Sequence, residues 1–132
     1  MTIKNIINIS NMNIAINGFG RIGRQAFKVA MTKKDIKVVG INDLTEAKTL
    51  AHLLKYDTAY GRYESPVESD EKNLIVKGKK IPVFAENDPT LLPWGKLKVD
   101  VVLECTGRFT DKAGASLHLK AGAKKVVISA PA

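Results

Sequence analysis

The spacing of apolar positions along the chain changes several times, and each change marks an element. Met12–Asn17 alternates Ile14 and Ile16 with smaller residues and then meets Gly18, as a short buried strand does. From Ile22 to Lys33, apolar Ile22, Ala26, Val29 and Ala30 recur at helical spacing. A helix therefore opens inside the glycine turn and ends near Lys33-Lys34, where positive charge suits the helix dipole. Ile36–Ile41 is a second apolar run, stopping at Asn42-Asp43. These pieces form a strand–helix–strand unit of about thirty residues, the size of a βαβ crossover. Thr45 suits the N-cap of a helix running to about Tyr56, with Leu50, Leu53 and Leu54 on one face. Asp57 to Asp70 is turn-rich and reads as irregular.

Asn73–Val76 and Lys80–Phe84 flank Lys77-Gly78-Lys79 and read as a β-hairpin. A stretch with Pro89, Pro93 and Trp94 reads as an ordered loop. Val99–Glu104 is a buried strand ending at Cys105-Thr106-Gly107. Thr110 is the expected cap of a helix through Lys120, ended by Ala121-Gly122-Ala123. Val126–Ile128 is a last strand leading to Ser129. Strands alternating with helices predict an α/β fold, a Rossmann-like, doubly wound, mostly parallel sheet with an antiparallel hairpin insertion.

Composition narrows the reading. The 132 residues suffice for one domain with a core, and 45% are hydrophobic and 26% charged, an ordinary soluble balance. One cysteine excludes an internal disulfide framework, and no apolar run approaches the roughly 20 residues of a membrane span. Met1–Asn11 is rich in Ile but broken by Asn5, Asn8 and Asn11, and lacks a small-residue cleavage site. It reads as a leader or extension, with residues 12–132 as the domain. The net charge of +8 raises polyanion binding as an option. The lysine pairs Lys33-Lys34, Lys79-Lys80 and Lys124-Lys125 are scattered over turns and helix ends, and no nucleic-acid motif accompanies them, so nucleic acid is disfavoured.

The chemistry concentrates at Asn17-Gly18-Phe19-Gly20-Arg21-Ile22-Gly23. A G-x-G-x-x-G motif alone is a weak signal. Here it follows a strand, opens a helix, and is followed by Asp43 at the end of the next strand, the context of a dinucleotide site. Gly18 permits the tight turn, Gly20 lets backbone approach a pyrophosphate, and Gly23 lets the helix pack near the strand. The N–H groups near Arg21 and Ile22 face the phosphates, where the helix dipole favours negative charge. Asp43 would accept the adenosine ribose hydroxyls and repel a 2′-phosphate, favouring NAD over NADP. Cys105-Thr106-Gly107 and Ser129 lie at carboxyl ends of strands, where open parallel sheets bind ligands. Small residues also suit tight strand–loop junctions, so spacing alone leaves both readings open. Cys105 lacks an assisting histidine beside it in sequence. His52 and His118 sit on predicted helices as structural or solvent-facing residues. No His/Cys/Asp cluster has metal-ligand spacing.

Six segments then carry a resemblance: Asn17–Arg24 (NGFGRIGR), Ile41–Leu44 (INDL), Leu54–Arg62 (LKYDTAYGR), Glu86–Pro89 (ENDP), Glu104–Phe109 (ECTGRF) and His118–Pro131 (HLKAGAKKVVISAP). In this order they resemble the N-terminal, cofactor-binding part of phosphorylating glyceraldehyde-3-phosphate dehydrogenases. The resemblance implies NAD as cofactor, with pyrophosphate on the backbone of Arg21 and Ile22. Asn17, Gly18, Phe19 and Gly20 would shape that site, and Asp43 would hold the adenosine ribose. Asn87 would lie on the adenine side, in place of the family's usual basic residue. Thr106, Gly107 and Phe109 would lie along the cofactor, and Ser129 would approach the nicotinamide. Cys105 replaces what is often Ser or Ala.

The resemblance further implies a cytoplasmic glycolytic enzyme, homotetrameric when complete. It would oxidise glyceraldehyde 3-phosphate with NAD and phosphate to 1,3-bisphosphoglycerate through a cysteine in a Ser-Cys-Thr-Thr-Asn motif. That motif does not occur in this sequence, so the chain alone is expected to bind NAD without catalysis. An erythrose-4-phosphate dehydrogenase portion and a free-standing NAD-binding module are the alternatives. Finally, the family's cofactor domain is completed by a helix from the end of the full chain, and an apolar groove is expected where that helix would lie.

Overall fold

A computed structural model describes residues 11–56, 63–109 and 111–129. Among the described residues, seven strands and three α-helices follow in order: β1 Met12–Asn17, α1 Arg21–Met31, β2 Ile36–Asn42, α2 Ala47–Tyr56, β3 Val67–Ser69, β4 Asn73–Val76, β5 Lys79–Phe84, β6 Val101–Glu104, α3 Lys112–Lys120 and β7 Lys125–Ile128. A 3-10 turn spans Pro89–Leu91. The strands make one sheet in the order β3-β4-β5-β2-β1-β6-β7. The pairs β5/β2, β2/β1, β1/β6 and β6/β7 are parallel, and β3/β4 and β4/β5 are antiparallel.

The pleat of β1 sends side chains to two cores. Ile14 and Ile16 join Phe27 of α1, Leu50 and Leu54 of α2, and Leu74 and Ile81 of the hairpin. Ala15 points the other way, to Leu92, Trp94, Val99 and Val102. Helices α1 and α2 therefore cover one face, while the proline-rich loop and α3 serve the other, which is the doubly wound arrangement. Trp94 is fully buried, with its ring edge-on to Phe84 at a centroid distance of 6.0 Å. A Cβ on Gly40 would come within 3.0 Å of the Trp94 ring, so the indole needs a bare backbone there. The hairpin turns on Lys77 and Gly78, both at positive φ, as a two-residue type I′ turn requires.

Several sequence expectations need correction. β3 lies inside the stretch read as irregular, because its alternation spans only three residues and emerges through pairing with β4. α2 begins one residue later than a Thr45 cap implies, since the Glu46 carbonyl accepts the Leu50 N–H at 3.1 Å. Thr45 instead donates its own N–H to Asp43 Oδ1 at 2.9 Å. Thr110 lies outside the described residues. The N-cap of α3 is Asp111, whose carboxylate accepts the Gly114 N–H at 2.6 Å. Residues 1–10, including most of the expected leader, and 57–62 also lie outside the described residues.

The predicted buried face of α1 is rotated. Its buried residues are Gly23, Arg24, Phe27 and Ala30, while Ile22 and Val29 are 56% and 57% exposed. Phe27 decides the rotation, because its large ring fills the first core edge-on to Phe19. The exposed residues form one wall of a groove of about 590 Å³, with Met12, Ile14, Ile36, Val101 and Leu103 among its other lining residues. Gln25 lies in the same groove. Its Nε2 is the one buried side-chain polar atom among the described residues without a hydrogen-bond partner.

Candidate functional site

The parallel order reverses direction at β1: β2 lies to one side and β6 to the other. Open parallel sheets bind ligands at such a reversal, outside the carboxyl ends of the strands. Beyond those ends the ladder continues through backbone bonds. Ser129 N–H donates to Glu104 O, Cys105 N–H to Asn17 O, Gly18 N–H to Asn42 O and Asp43 N–H to Phe84 O, at 2.7–3.1 Å. The predicted site residues at four strand ends are thus drawn into one row.

The glycine turn is built by steric necessity. Gly18 has φ +93°, and a Cβ there would sit 2.8 Å from the Thr106 backbone nitrogen. A Cβ on Gly23 would overlap the Gly18 carbonyl oxygen, so the start of α1 presses directly on the turn. Buried Arg24 adds a bond from Nη1 to the Phe19 carbonyl at 3.0 Å. At Gly20, by contrast, a Cβ would meet nothing within 4 Å. Gly20 is the N-cap of α1, has no side-chain cap, and the first turn has no acidic residue. The N–H groups of the first turn therefore have no side-chain cap, and helix geometry and dipole favour an anion there.

A cleft of about 270 Å³ begins at this turn. Asn17, Gly18 and Gly20 line one side, Asn42, Asp43, Leu44 and Glu86 another, and Cys105, Thr106, Arg108 and Phe109 a third. Of the sequence-predicted residues, Asn17, Gly18, Gly20, Asp43, Thr106 and Phe109 line it together. Phe19 is buried beside it and donates its N–H to Asp43 Oδ2 at 2.7 Å. Asp43 is thus fixed through both oxygens, to Phe19 and Thr45. Exposed Arg21 and Ile22 stand at the start of α1, outside the cleft lining, and their side chains border the groove beside α1 instead. Gly107 (φ +76°) continues the loop without lining the cleft, and Asn87 is exposed outside it. Ser129 lies next to the row, donating Oγ to Glu104 O at 3.1 Å.

Beneath the cleft lies a buried polar network that the sequence reading missed. Glu104 and His118 are 1% and 0% exposed. Glu104 Oε1 accepts Asn17 Nδ2 at 2.6 Å and His118 Nε2 at 2.8 Å. Its Oε2 accepts the Thr106 N–H at 2.9 Å and the Thr106 hydroxyl at 2.6 Å. The Trp94 indole donates to His118 Nδ1 at 3.0 Å. An indole N–H is only a donor, so Nδ1 is the accepting nitrogen and Nε2 carries the proton that Glu104 receives. The 3.3 Å approach of Asn17 Nδ2 to His118 Nε2 is then two donors converging on one oxygen. Asn42 completes the network, donating to Asn17 Oδ1 at 2.7 Å and accepting the Glu86 N–H at 2.9 Å. Burial pushes the Glu104 carboxyl up, but hydrogen bonds from His118, Thr106 and Asn17 outweigh it and hold Glu104 below the ordinary glutamate value. The signal for Glu104 was its place at the end of a buried strand, where a charge needs partners.

Cys105 lines the cleft, and burial pushes its thiol up, with Glu104 adding to the effect and a Ser129 hydrogen bond opposing it. A thiol held protonated is a poor nucleophile. His118 is structural, and His52 is exposed beside Tyr56. No cluster of three or more potential metal-ligating side chains occurs among the described residues. No helix among them is long and apolar enough to cross a membrane.

The open space at Gly20, the uncapped helix start and the carboxylate at the end of β2 fit a dinucleotide pyrophosphate and ribose. Comparison with known proteins agrees. Residues 12–112 match the family model for the NAD binding domain of glyceraldehyde 3-phosphate dehydrogenase. The chain is 57% identical over 121 residues to the glyceraldehyde-3-phosphate dehydrogenase of Geobacillus stearothermophilus, covering 92% of this chain and 36% of the relative. It is 60% identical over 119 residues to that of Clostridium acetobutylicum, covering 90% of this chain and 36% of the relative. It is 53% identical over 121 residues to that of Mycoplasma pneumoniae, covering 92% and 36%. The chain thus spans about a third of the length of these relatives, and it belongs to the glyceraldehyde-3-phosphate dehydrogenase NAD-binding domain family.

Proposed function

We propose that this chain is the cofactor-binding portion of a phosphorylating glyceraldehyde-3-phosphate dehydrogenase, and that by itself it binds NAD without turning over substrate. The observation that carries the reading is the uncapped start of α1 opening at Gly20, within reach of Asp43. The Arg21 and Ile22 N–H groups hold the pyrophosphate and Asp43 accepts the adenosine ribose hydroxyls. Thr106 and Phe109 lie along the cofactor, with Gly107 shaping the loop and Ser129 toward the nicotinamide. Asn87 stands on the adenine side. Bound NAD supplies a hydride acceptor. Cys105, half-buried and with its thiol pushed up by desolvation, takes no part as a nucleophile.

In the complete protein, residues outside this sequence supply the nucleophile and the sites for glyceraldehyde 3-phosphate and phosphate. The product is 1,3-bisphosphoglycerate, and the assembly is a cytoplasmic homotetramer. The domain begins at Met12, where β1 starts, and a helix from elsewhere in the complete chain covers the groove beside α1. The exposed Ile22 and Val29 and the unpartnered Gln25 amide support that cover.

The test is a thermal melt of the purified chain with and without NAD, together with an NADH-absorbance assay. A ligand at 100 times its Kd stabilises by about 2.7 kcal/mol, so millimolar NAD raises the midpoint by several degrees. An unchanged midpoint removes the binding reading. Steady NADH production from glyceraldehyde 3-phosphate and phosphate by this chain alone removes the claim that it lacks turnover.

A further inference from the structure

The amino ends of β2 and β5, at the opposite end of the sheet from the glycine turn, border a second cleft of about 820 Å³. Lys33 and Lys34 reach it from the end of α1, Lys37 from β2, and Lys79 and Lys80 from β5. In the sequence Lys33-Lys34 and Lys79-Lys80 are separate pairs and Lys37 stands alone. The parallel pairing of β2 with β5 places them at one end of the sheet, and the crossover through α1 brings in the first pair.

The lining has a definite chemical character. It contains five lysines and neither an arginine nor an aromatic ring. Planar guanidinium forks and base-stacking platforms are therefore missing, and point charges on flexible stems remain. Such ammonium groups suit phosphoryl oxygens. Val38 and Ile81, both buried, also line the cleft and give it a low-dielectric wall that strengthens the field of the lysines. Lys80 of this set pairs with Asp70 at 3.6 Å, with side chains 67% and 40% exposed. An exposed pair of this kind is weak and exchanges readily for a stronger anion. The volume is that of a small-molecule site, and the charges line a concavity rather than run along an open face.

We propose that this second cleft binds a compact chain of phosphates, recognised through its phosphoryl oxygens and not through a base or sugar. Free inorganic oligophosphate and the triphosphate tail of a nucleotide share that chemistry. The site is separate from the cofactor cleft and does not depend on the NAD reading.

Inorganic tripolyphosphate is titrated calorimetrically into the protein with NAD present in excess, at low and at moderate salt. Binding is expected, weaker at higher salt. The variant K33Q/K34Q/K79Q/K80Q is expected to bind at least about tenfold more weakly. The variant K48Q/K96Q/K112Q/K120Q loses the same charge from exposed positions elsewhere and is expected to stay within about twofold of the parent. Circular dichroism melts of both variants report that they remain folded. ATP binding as tightly as tripolyphosphate supports recognition through phosphates, while ATP binding tenfold tighter overturns it. The cleft assignment is overturned by no binding, by equal losses in both variants, or by tripolyphosphate and NAD displacing one another. A DNA duplex that binds more tightly than tripolyphosphate, with the same lysine dependence, replaces the small-anion assignment with a nucleic-acid one.

Discussion

Both ends of the sheet are polar, yet they hold their polar groups in opposite ways. At the carboxyl end, Asn17, Asn42, Glu104 and His118 are buried, and each is tied to the others or to Thr106, Glu86 or Trp94. At the amino end, Lys33, Lys34, Lys37, Lys79 and Lys80 stand in solvent. A buried charge must be satisfied within the protein, so it becomes part of the framework. An exposed charge contributes little to folding and stays available for a ligand. The carboxyl end therefore spends its polar groups on rigidity under the cleft, whose lining includes one held carboxylate, Asp43.

The contrast predicts a graded response to mutation. The largest effect is expected from Glu104→Ala, which strands the donors of Asn17, His118 and Thr106. Losing one partner of such a buried set costs about 3–5 kcal/mol. Urea denaturation measures it, and a cost below about 1 kcal/mol would erase the distinction between the two ends. Glu104→Gln keeps one accepting oxygen and is expected to lose less.

Acid should act on the same group. The folded-state pKa of Glu104 lies below its ordinary, unfolded value. Its contribution is therefore fully present above the unfolded value and is lost as pH falls through the folded value. The urea midpoint of the parent should decline more steeply into the acid range than that of Glu104→Gln, which has no proton to gain there. Parallel declines would show that other carboxylates dominate.

Next in size is Asp43→Ala. NAD affinity should fall about tenfold, the scale of one lost charge-assisted hydrogen bond. NADP affinity should fall less, because the change also removes a charge that repels the 2′-phosphate. Titration of both cofactors decides, and equal losses would reduce Asp43 to a turn residue serving Phe19 and Thr45. The smallest effect is at the amino end. Asp70→Asn breaks the ion pair with Lys80 and should leave the urea midpoint essentially unchanged. A marked loss in the urea midpoint would mean that the amino end is also framework.

Much of this is legible in the sequence. The β1–α1–β2 unit, the hairpin at Lys77-Gly78 and the G-x-G-x-x-G turn all announce themselves through local rules of spacing, glycine placement and helix polarity. Such rules act over a few residues and need no knowledge of distant partners. The face that α1 buries was not legible, because Ile22, Ala26, Val29 and Ala30 make as regular a stripe as the side carrying Phe27. Only packing against Phe19 and the sheet chose between them.

The chain by itself determined that a strand ends at Gly18, that a helix begins inside the glycine turn, and that a carboxylate follows at Asp43. Those are consequences of local stereochemistry. Tertiary structure alone decided that Glu104 meets His118 and Asn17, and that two distant lysine pairs share one cleft. Both juxtapositions depend on which strands lie side by side. That order is set by the burial of apolar faces, a long-range condition that the spacing of residues along the chain does not encode.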